Sequence, residues 1–424
     1  MKVKQVHGKK KALVVGLLSA ACLAKTAHAE DRIEVMHFWT SGGEAAALNI
    51  LKDDLKKRGY GWLDSPVAGG GGEQAKTTLR ARIASGNPPE AALTLGFDTI
   101  DYATENFLGN LDALAEKENW GTLIPSALQK FSKINGHWVA APLLVHRSNW
   151  VWANKAIFTK LNLAPPKNFS ELLAVSQKIR QAGYIPLAHG GQAWQEAALF
   201  DSAVLSAGGP GFYKQALIYL DPKALGSKTM EKAFEQLKAL RGMTDPNFPG
   251  RDWNQATSMV INGKAAMQVM GDWAKGEFTK AGKVANKDYL CFAYPGTEGS
   301  FVFLGNQFSM FKTSGDGKKR QLALASAIMN KDLQEKFSML KGSIPARLDA
   351  SDANFDDCGK KSMADMRKAA LTNNLLGSYA FGFAVNESMK GAITDIVSKA
   401  FNDPTFTPAM ATQKLVEVVN DNKS

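Results

Sequence analysis

Cysteine and histidine are scarce in this chain of 424 residues, which holds three of the first and six of the second. His37, His137, His146 and His189, the four beyond the first thirty residues, show no paired helical spacing, so a metal centre has no support. Beyond those thirty residues there is no run of eighteen consecutive apolar positions, which excludes a membrane-spanning helix by length. No block of Lys and Arg interleaves with aromatics, so nucleic-acid binding is not expected. The glycine run "GGGGEQ" lacks the Lys-Ser/Thr ending of a phosphate-binding loop and reads instead as a turn. Apart from these four glycines at 69–72, no repeat or low-complexity tract interrupts the chain.

What is present starts at the N-terminus. Lys2, Lys4, Lys9, Lys10 and Lys11 precede "ALVVGLLSAACLA", too short to span a bilayer, and "AHA" ends at Ala29. This pattern predicts a cleaved secretory signal peptide over residues 1–29 and release into the periplasm. Lipidation at Cys22 is the rival, but Ser19 stands three residues before it where Leu is usual. The segment carries six Lys and no acid, so its removal lowers the formal charge from +11 to +5. Much of the apparent basicity therefore belongs to targeting. Two cysteines remain, Cys291 and Cys358, and an even count in an oxidising compartment predicts one disulfide, with two buried thiols as the alternative. Closing a loop of 67 residues would stabilise the fold by about 4 kcal/mol before strain.

The remaining 395 residues exceed what one hydrophobic core usually serves, so two lobes are expected. "RIEVMHFW" has the pattern of a strand, and "EAAALNILKDDLKKRG" that of an amphipathic helix stopped by Gly59. "EQAKTTLRARIASG" predicts a second helix and "EAALTLG" a short buried strand. In "NFSELLAVSQKIRQAG", Asn168 and Glu171 stand three apart like a capping box, with Gly183 as the stop, and "YIPLAHGG" follows as a strand. Such alternation gives α/β architecture with ligands beyond the carboxyl ends of strands.

Three successive stretches, "WVAAPLLVHRSNWVWANKAIFTKLNLAPPKNFSELL", "MVINGKAAMQVMGDWAKGEF" and "KGSIPAR", resemble the signatures of periplasmic sugar-binding proteins of ABC transporters (extracellular solute-binding protein family 1). "HFWTSGGE" is similar to the His-Trp-Trp-Thr-Ser-Gly-Gly-Glu of the glucose-binding branch in Gram-negative bacteria. The resemblance implies a two-lobe periplasmic-binding-protein fold closing over a monosaccharide or small oligosaccharide. It further implies a monomer without cofactor or catalysis that delivers its sugar to permease subunits in the inner membrane. Crossings are expected near 141–146, 288–296 and 345–350, giving lobe one as 30–140 with 297–345 and lobe two as 141–296 with 346–424.

A pyranose has an apolar face of C–H groups and a rim of hydroxyls, so its site needs aromatic surface together with convergent donors and acceptors. Phe38 and Trp39 can supply rings, and Thr40, Ser41 and Glu44 can reach hydroxyls. By strand alternation one of the two rings should point away from the cleft. The resemblance adds His146, Asn149, Trp194, Gln195, Asp272, Trp273, Asn306 and Lys341 as ligand contacts. The sequence departs from the glucose branch at Phe38, Leu95, Asn306 and Phe381, where that branch has Trp, Lys, Asp and His, so glucose itself does not follow. Two other classes stand beside this one. A secreted glycoside hydrolase would need two carboxylates flanking one bond, and the candidates Glu44 and Asp272 fall on opposite lobes. A binding protein for a polyol or small acid is the third.

Overall fold

A computed structural model describes residues 1–2 and 31–421. Apart from its first two residues, the expected signal segment, Cys22 included, lies outside the described residues. The strands in chain order are β1 (Arg32–His37), β2 (Gly61–Pro66), β3 (Ala91–Thr94), β4 (Lys133–Ile134), β5 (His137–Trp138) and β6 (Ala140–Arg147). There follow β7 (Trp150–Asn154), β8 (Ile185–Leu187), β9 (Ala265–Val269), β10 (Tyr289–Ala293), β11 (Phe301–Met310), β12 (Ile344–Pro345) and β13 (Leu375–Gly377). They build a large sheet in the order β12-β6-β11-β3-β1-β2, with β13 also on β11, a small sheet β10-β7-β9-β8, and the β4-β5 hairpin. β6 and β11 are buried at every position. Covered on both faces, they need no polar alternation, which is why "AAPLLVHR" and "FVFLGNQFSM" read as near-continuous apolar runs.

The local signals act where the sequence puts them. Asn168 Oδ1 accepts the Glu171 amide at 3.0 Å and starts helix Phe169–Gln181. Gly183 then takes φ +83°, a left-handed conformation that ends the helix without a Cβ clash. Helix Gly42–Lys57 packs beside helix Lys331–Lys341 on the large sheet, while helices Ala193–Tyr213, Lys228–Met243 and Glu387–Asn402 pack together on the other side of the molecule.

The chain passes between the sheets at sites shifted from the expected ones. The stretch 141–146 is the interior of β6, with His146 paired to Leu304 in the large sheet. The ladder runs on to Arg147, paired with Phe303, until Ser148-Asn149 interrupts it, and Trp150 opens β7 in the small sheet. Residues 294–300 carry the chain back, between β10 and β11, and the strand that follows β12, β13, lies in the large sheet again.

A polar staple gathers these passages. The buried Arg147 guanidinium donates to Asp365 Oδ2 at 2.6 Å, to Ser300 O at 3.1 Å and to Asn149 Oδ1 at 3.2 Å. Asn149 in turn donates to Thr297 Oγ1 at 2.9 Å and accepts from the Val302 amide at 3.1 Å. Beside them a disulfide joins Cys291 on β10 to Cys358 on helix Asp357–Leu371, with 6.0 Å between the two Cα atoms.

Candidate ligand-binding site

At the carboxyl ends of β1, β3 and β6 a cavity of about 260 Å³ lies between the two sheets. Ten of the thirteen expected contacts line it: Phe38, Trp39, Thr40, Ser41, Glu44, His146, Trp194, Trp273, Asn306 and Lys341. Asn149, Gln195 and Asp272 stand off the cavity and hold neighbours in place. Asn149 belongs to the staple, and Gln195 Nε2 donates to Gln192 Oε1 at 2.9 Å. Asp272 accepts from the Arg147 amide at 3.0 Å and bonds His146 Nδ1.

The two expected rings both reach the cavity, because β1 ends at His37 and strand alternation lapses beyond it. They differ in exposure. Trp39 is 2% exposed, its ring centroid 5.9 Å from Phe308 and 5.4 Å from Phe337, so most of it is core. Ser41 and Glu44 are also partly committed. The Ser41 hydroxyl accepts the Glu44 amide at 3.4 Å, and Glu44 Oε2 accepts the amides of Thr40 and Ser41 at 3.2 and 3.1 Å, a capping box that starts helix Gly42–Lys57. Glu44 Oε1 stands 3.2 Å from Lys341 Nζ, which also lies 5.6 Å over the Trp39 ring.

His146 is fully buried, and burial holds its imidazole below its usual pKa, against the opposing pull of Asp272. A neutral ring that gives its Nδ1 proton to Asp272 keeps Nε2 as an acceptor. The polar side of the cavity thus comes from the large sheet and its helices: Thr40, Glu44, His146, Asn306 and Lys341. Aromatic surface comes from Trp194, Trp253, Trp273 and Phe381, together with Phe38 and Trp39, and Asp252 and Asn254 stand beside Trp253 in the lining. Trp273 and Trp194 pack on Phe381 with centroids 5.4 and 6.0 Å apart. Trp194 Nε1 donates to Gln192 Oε1 at 3.0 Å, and Gln192 Nε2 to Asp252 Oδ1 at 2.7 Å, which fixes the indole plane.

Sequence reasoning missed Asp252, Trp253, Asn254, Ala68 and Leu304 in the lining. The Asp-x-x-Gln spacing of Asp252 and Gln255 does start helix Trp253–Ile261 as a capping box, a signal that was open to reading. Leu304 and Ala68 carry none. The glycine run closes the cavity over Trp194: a Cβ on Gly70 would stand 2.8 Å and one on Gly71 2.9 Å from indole carbons. The four departures at Phe38, Leu95, Asn306 and Phe381 all lie in the lining.

The profile of the family Bacterial extracellular solute-binding protein matches residues 64–325. This chain belongs to that family. Within the solute-binding proteins it is 50% identical over 410 residues to a "Probable sugar-binding periplasmic protein" of Rhizobium meliloti (strain 1021), covering 96% of this chain and 99% of that one. A protein of the same description from Brucella suis biovar 1 is 51% identical over 391 residues, covering 91% and 93%. Among solved structures, the bacterial solute receptor AcbH, described by its preference for β-D-galactopyranose, superposes with a TM-score of 0.78 at 18% identity over 93% of this chain and 100% of that one. Maltose-bound MalE3 of T. maritima gives 0.73 at 16% identity over 92% and 99%. These likenesses establish the two-lobe solute-binding fold.

Proposed function

We propose that this solute-binding protein captures one sugar ring in the periplasm and delivers it, chemically unchanged and as a single chain, to the permease of an ABC importer. The observation that carries the reading is the make-up of the cavity lining: the acceptors and donors Thr40, Glu44, His146, Asn306 and Lys341 stand in one cavity with the rings of Phe38, Trp39, Trp194, Trp253, Trp273 and Phe381. That is the combination a pyranose needs, with C–H groups on the rings and hydroxyls on the polar groups. The naming of the relatives from Rhizobium and Brucella as probable sugar-binding periplasmic proteins supports the same class. A cavity of about 260 Å³ suits one ring better than a chain of them, since pockets for larger ligands start near ~300 Å³.

Lobe one is the large sheet with its helices and lobe two the small sheet with its helices, joined through 148–149 and 294–300. A hydrolase is disfavoured because the lining carboxylates, Glu44 and Asp252, each already hold a helix N-terminus and belong to different lobes. Native mass spectrometry of the purified chain, followed by calorimetric titration with the sugar it retains, tests the proposal. One sugar bound per chain is expected, with no product after prolonged incubation with aryl glycosides and disaccharides. Sustained release of reducing sugar, or a retained ligand that is not a carbohydrate, would overturn it.

A further inference from the structure

One end of the cavity is built differently from the rest. Phe38, Gly71, Leu95 and Phe381 line both this cavity and a smaller one behind it, so they form the partition between the two. No side chain of the four can donate or accept a hydrogen bond. Charged groups do lie behind the partition, but they are turned to one another. Lys76 pairs with Glu387 and stands 3.1 Å from Asp98, while Lys390 stands 2.7 Å from Glu73 and 3.0 Å from Glu387. Phe381 is held between Trp194 and Trp273 and Leu95 lies at the end of β3, so neither wall residue is a loose surface group. In the sheet Asn306 stands across from Leu95, one position beyond the paired Thr94 and Gln307, and marks the polar edge of the partition.

We infer that the sugar held here turns toward this partition a carbon that bears no hydroxyl, which makes the ligand class a 6-deoxyhexopyranose or a pentopyranose rather than an ordinary hexopyranose. The inference rests on the sugar reading proposed above. A hexose hydroxymethyl group at the partition would lose its water and find no side-chain partner among these four residues, whereas a methyl group or a bare ring carbon meets surface of its own kind. The choice of position follows from sugar chemistry, since the exocyclic carbon is the one that can lose its hydroxyl while every ring hydroxyl stays to meet Thr40, Glu44, His146, Asn306 and Lys341. Leu95 and Phe381 are then specificity-determining residues. A buried unpaired hydroxyl corresponds to a loss of affinity on the order of tenfold or more.

The test is calorimetric titration of the purified full-length chain with matched sugars: D-glucose, D-galactose and D-mannose, the 6-deoxy counterpart of each, and D-xylose and L-arabinose as the glucose and galactose frames without the exocyclic carbon. A 6-deoxy sugar or pentose is expected to bind about tenfold or more tighter than its hexose. Leu95→Gln, which offers the partition an amide, should narrow that ratio. A hexose binding as tightly as its partner in every pair overturns the inference and leaves the sugar reading standing. An unchanged ratio in a folded Leu95→Gln chain overturns the role of the partition. If no sugar in the panel binds to a chain whose melting curve shows it folded, the sugar reading falls and this inference with it.

Discussion

Two tryptophans of the cavity have opposite loyalties, and substitution separates them. Trp39 is wedged against Phe308 and Phe337 under Lys341, so Trp39→Ala should open a core void and cost about 3–5 kcal/mol of stability as well as affinity. Trp194 faces the cavity beneath Gly70 and Gly71, and its replacement by Ala should cost about 2 kcal/mol of binding with little change in melting temperature. Paired melting curves and titrations distinguish the two. Another residue acts from behind the wall. Asp201 accepts from Tyr213 Oη at 2.6 Å and the Tyr379 amide at 3.3 Å and also bonds Ser378 Oγ, so it anchors the loop that carries Phe381. Burial pushes its carboxyl up to about 7. The unfolded carboxylate ionises near ~4, so the folded form binds more protons in between and stability falls as pH rises from about 4 to about 7. Asp201→Asn should remove that fall and gain roughly 1–4 kcal/mol at pH 8 relative to pH 5, read from denaturant titrations at the two pH values.

At the scale of the elements, closure brings the backbone at glycines of one lobe against groups of the other. The Gly43 amide at the start of helix Gly42–Lys57 donates to Glu277 Oε1 at 2.8 Å, a carboxylate on helix Ala274–Lys280 of the other lobe. A side chain at Gly276 would place its Cβ 2.9 Å from Leu340 O and 3.1 Å from Lys341 O. Gly276 sits in a helix, so Ala there suits its own lobe and obstructs only the approach of the other. Gly276→Ala is expected to weaken binding by about tenfold or more while the melting temperature without ligand holds or rises slightly, since Ala favours helix over Gly. These contacts also mark how much was legible in advance. The helix starts at Asn168 and Ser41 and the stop at Gly183 depend on neighbours three or four residues away, and such local signals are written in the chain. The first crossing was misplaced because "LLVHR" is apolar enough to belong to either sheet, and only the long-range ladder with β11 decides. Asn149 and Asp272 have the chemistry of ligand contacts, and nothing local reveals that Thr297 and Arg147 have already claimed them, whereas the partner of Gln195, Gln192, stands only three residues away. The glycines at 42 and 43 could be read as close-approach positions, but what approaches them comes from more than two hundred residues away.

In the molecule as a whole, the passages between lobes form one joint, held by the Arg147 staple and flanked by the Cys291–Cys358 bridge. Removing the bridge with the double change Cys291→Ser and Cys358→Ser should lower stability by about 2–5 kcal/mol. The loss should show as a lower melting temperature in the unreduced variant, matched by the parent chain under a strong reductant. Both partners lie on the joint side, away from the cavity lining, so ligand affinity should change far less than stability.

The glycine loop resting on Trp194 has an optical consequence. With the lobes apart, the faces of Trp194, Trp253 and Trp273 would meet water; with them together, Trp194 lies under Gly70 and Gly71 and all three rings line the cavity that the proposed sugar would fill. Indole emission shifts to shorter wavelength as water leaves the ring, so the unlabelled chain should signal its own occupancy by a blue shift on adding ligand. Phe replacing Trp194 should remove most of that signal, and the colour of the intrinsic fluorescence would then follow ligand capture in real time without any attached dye.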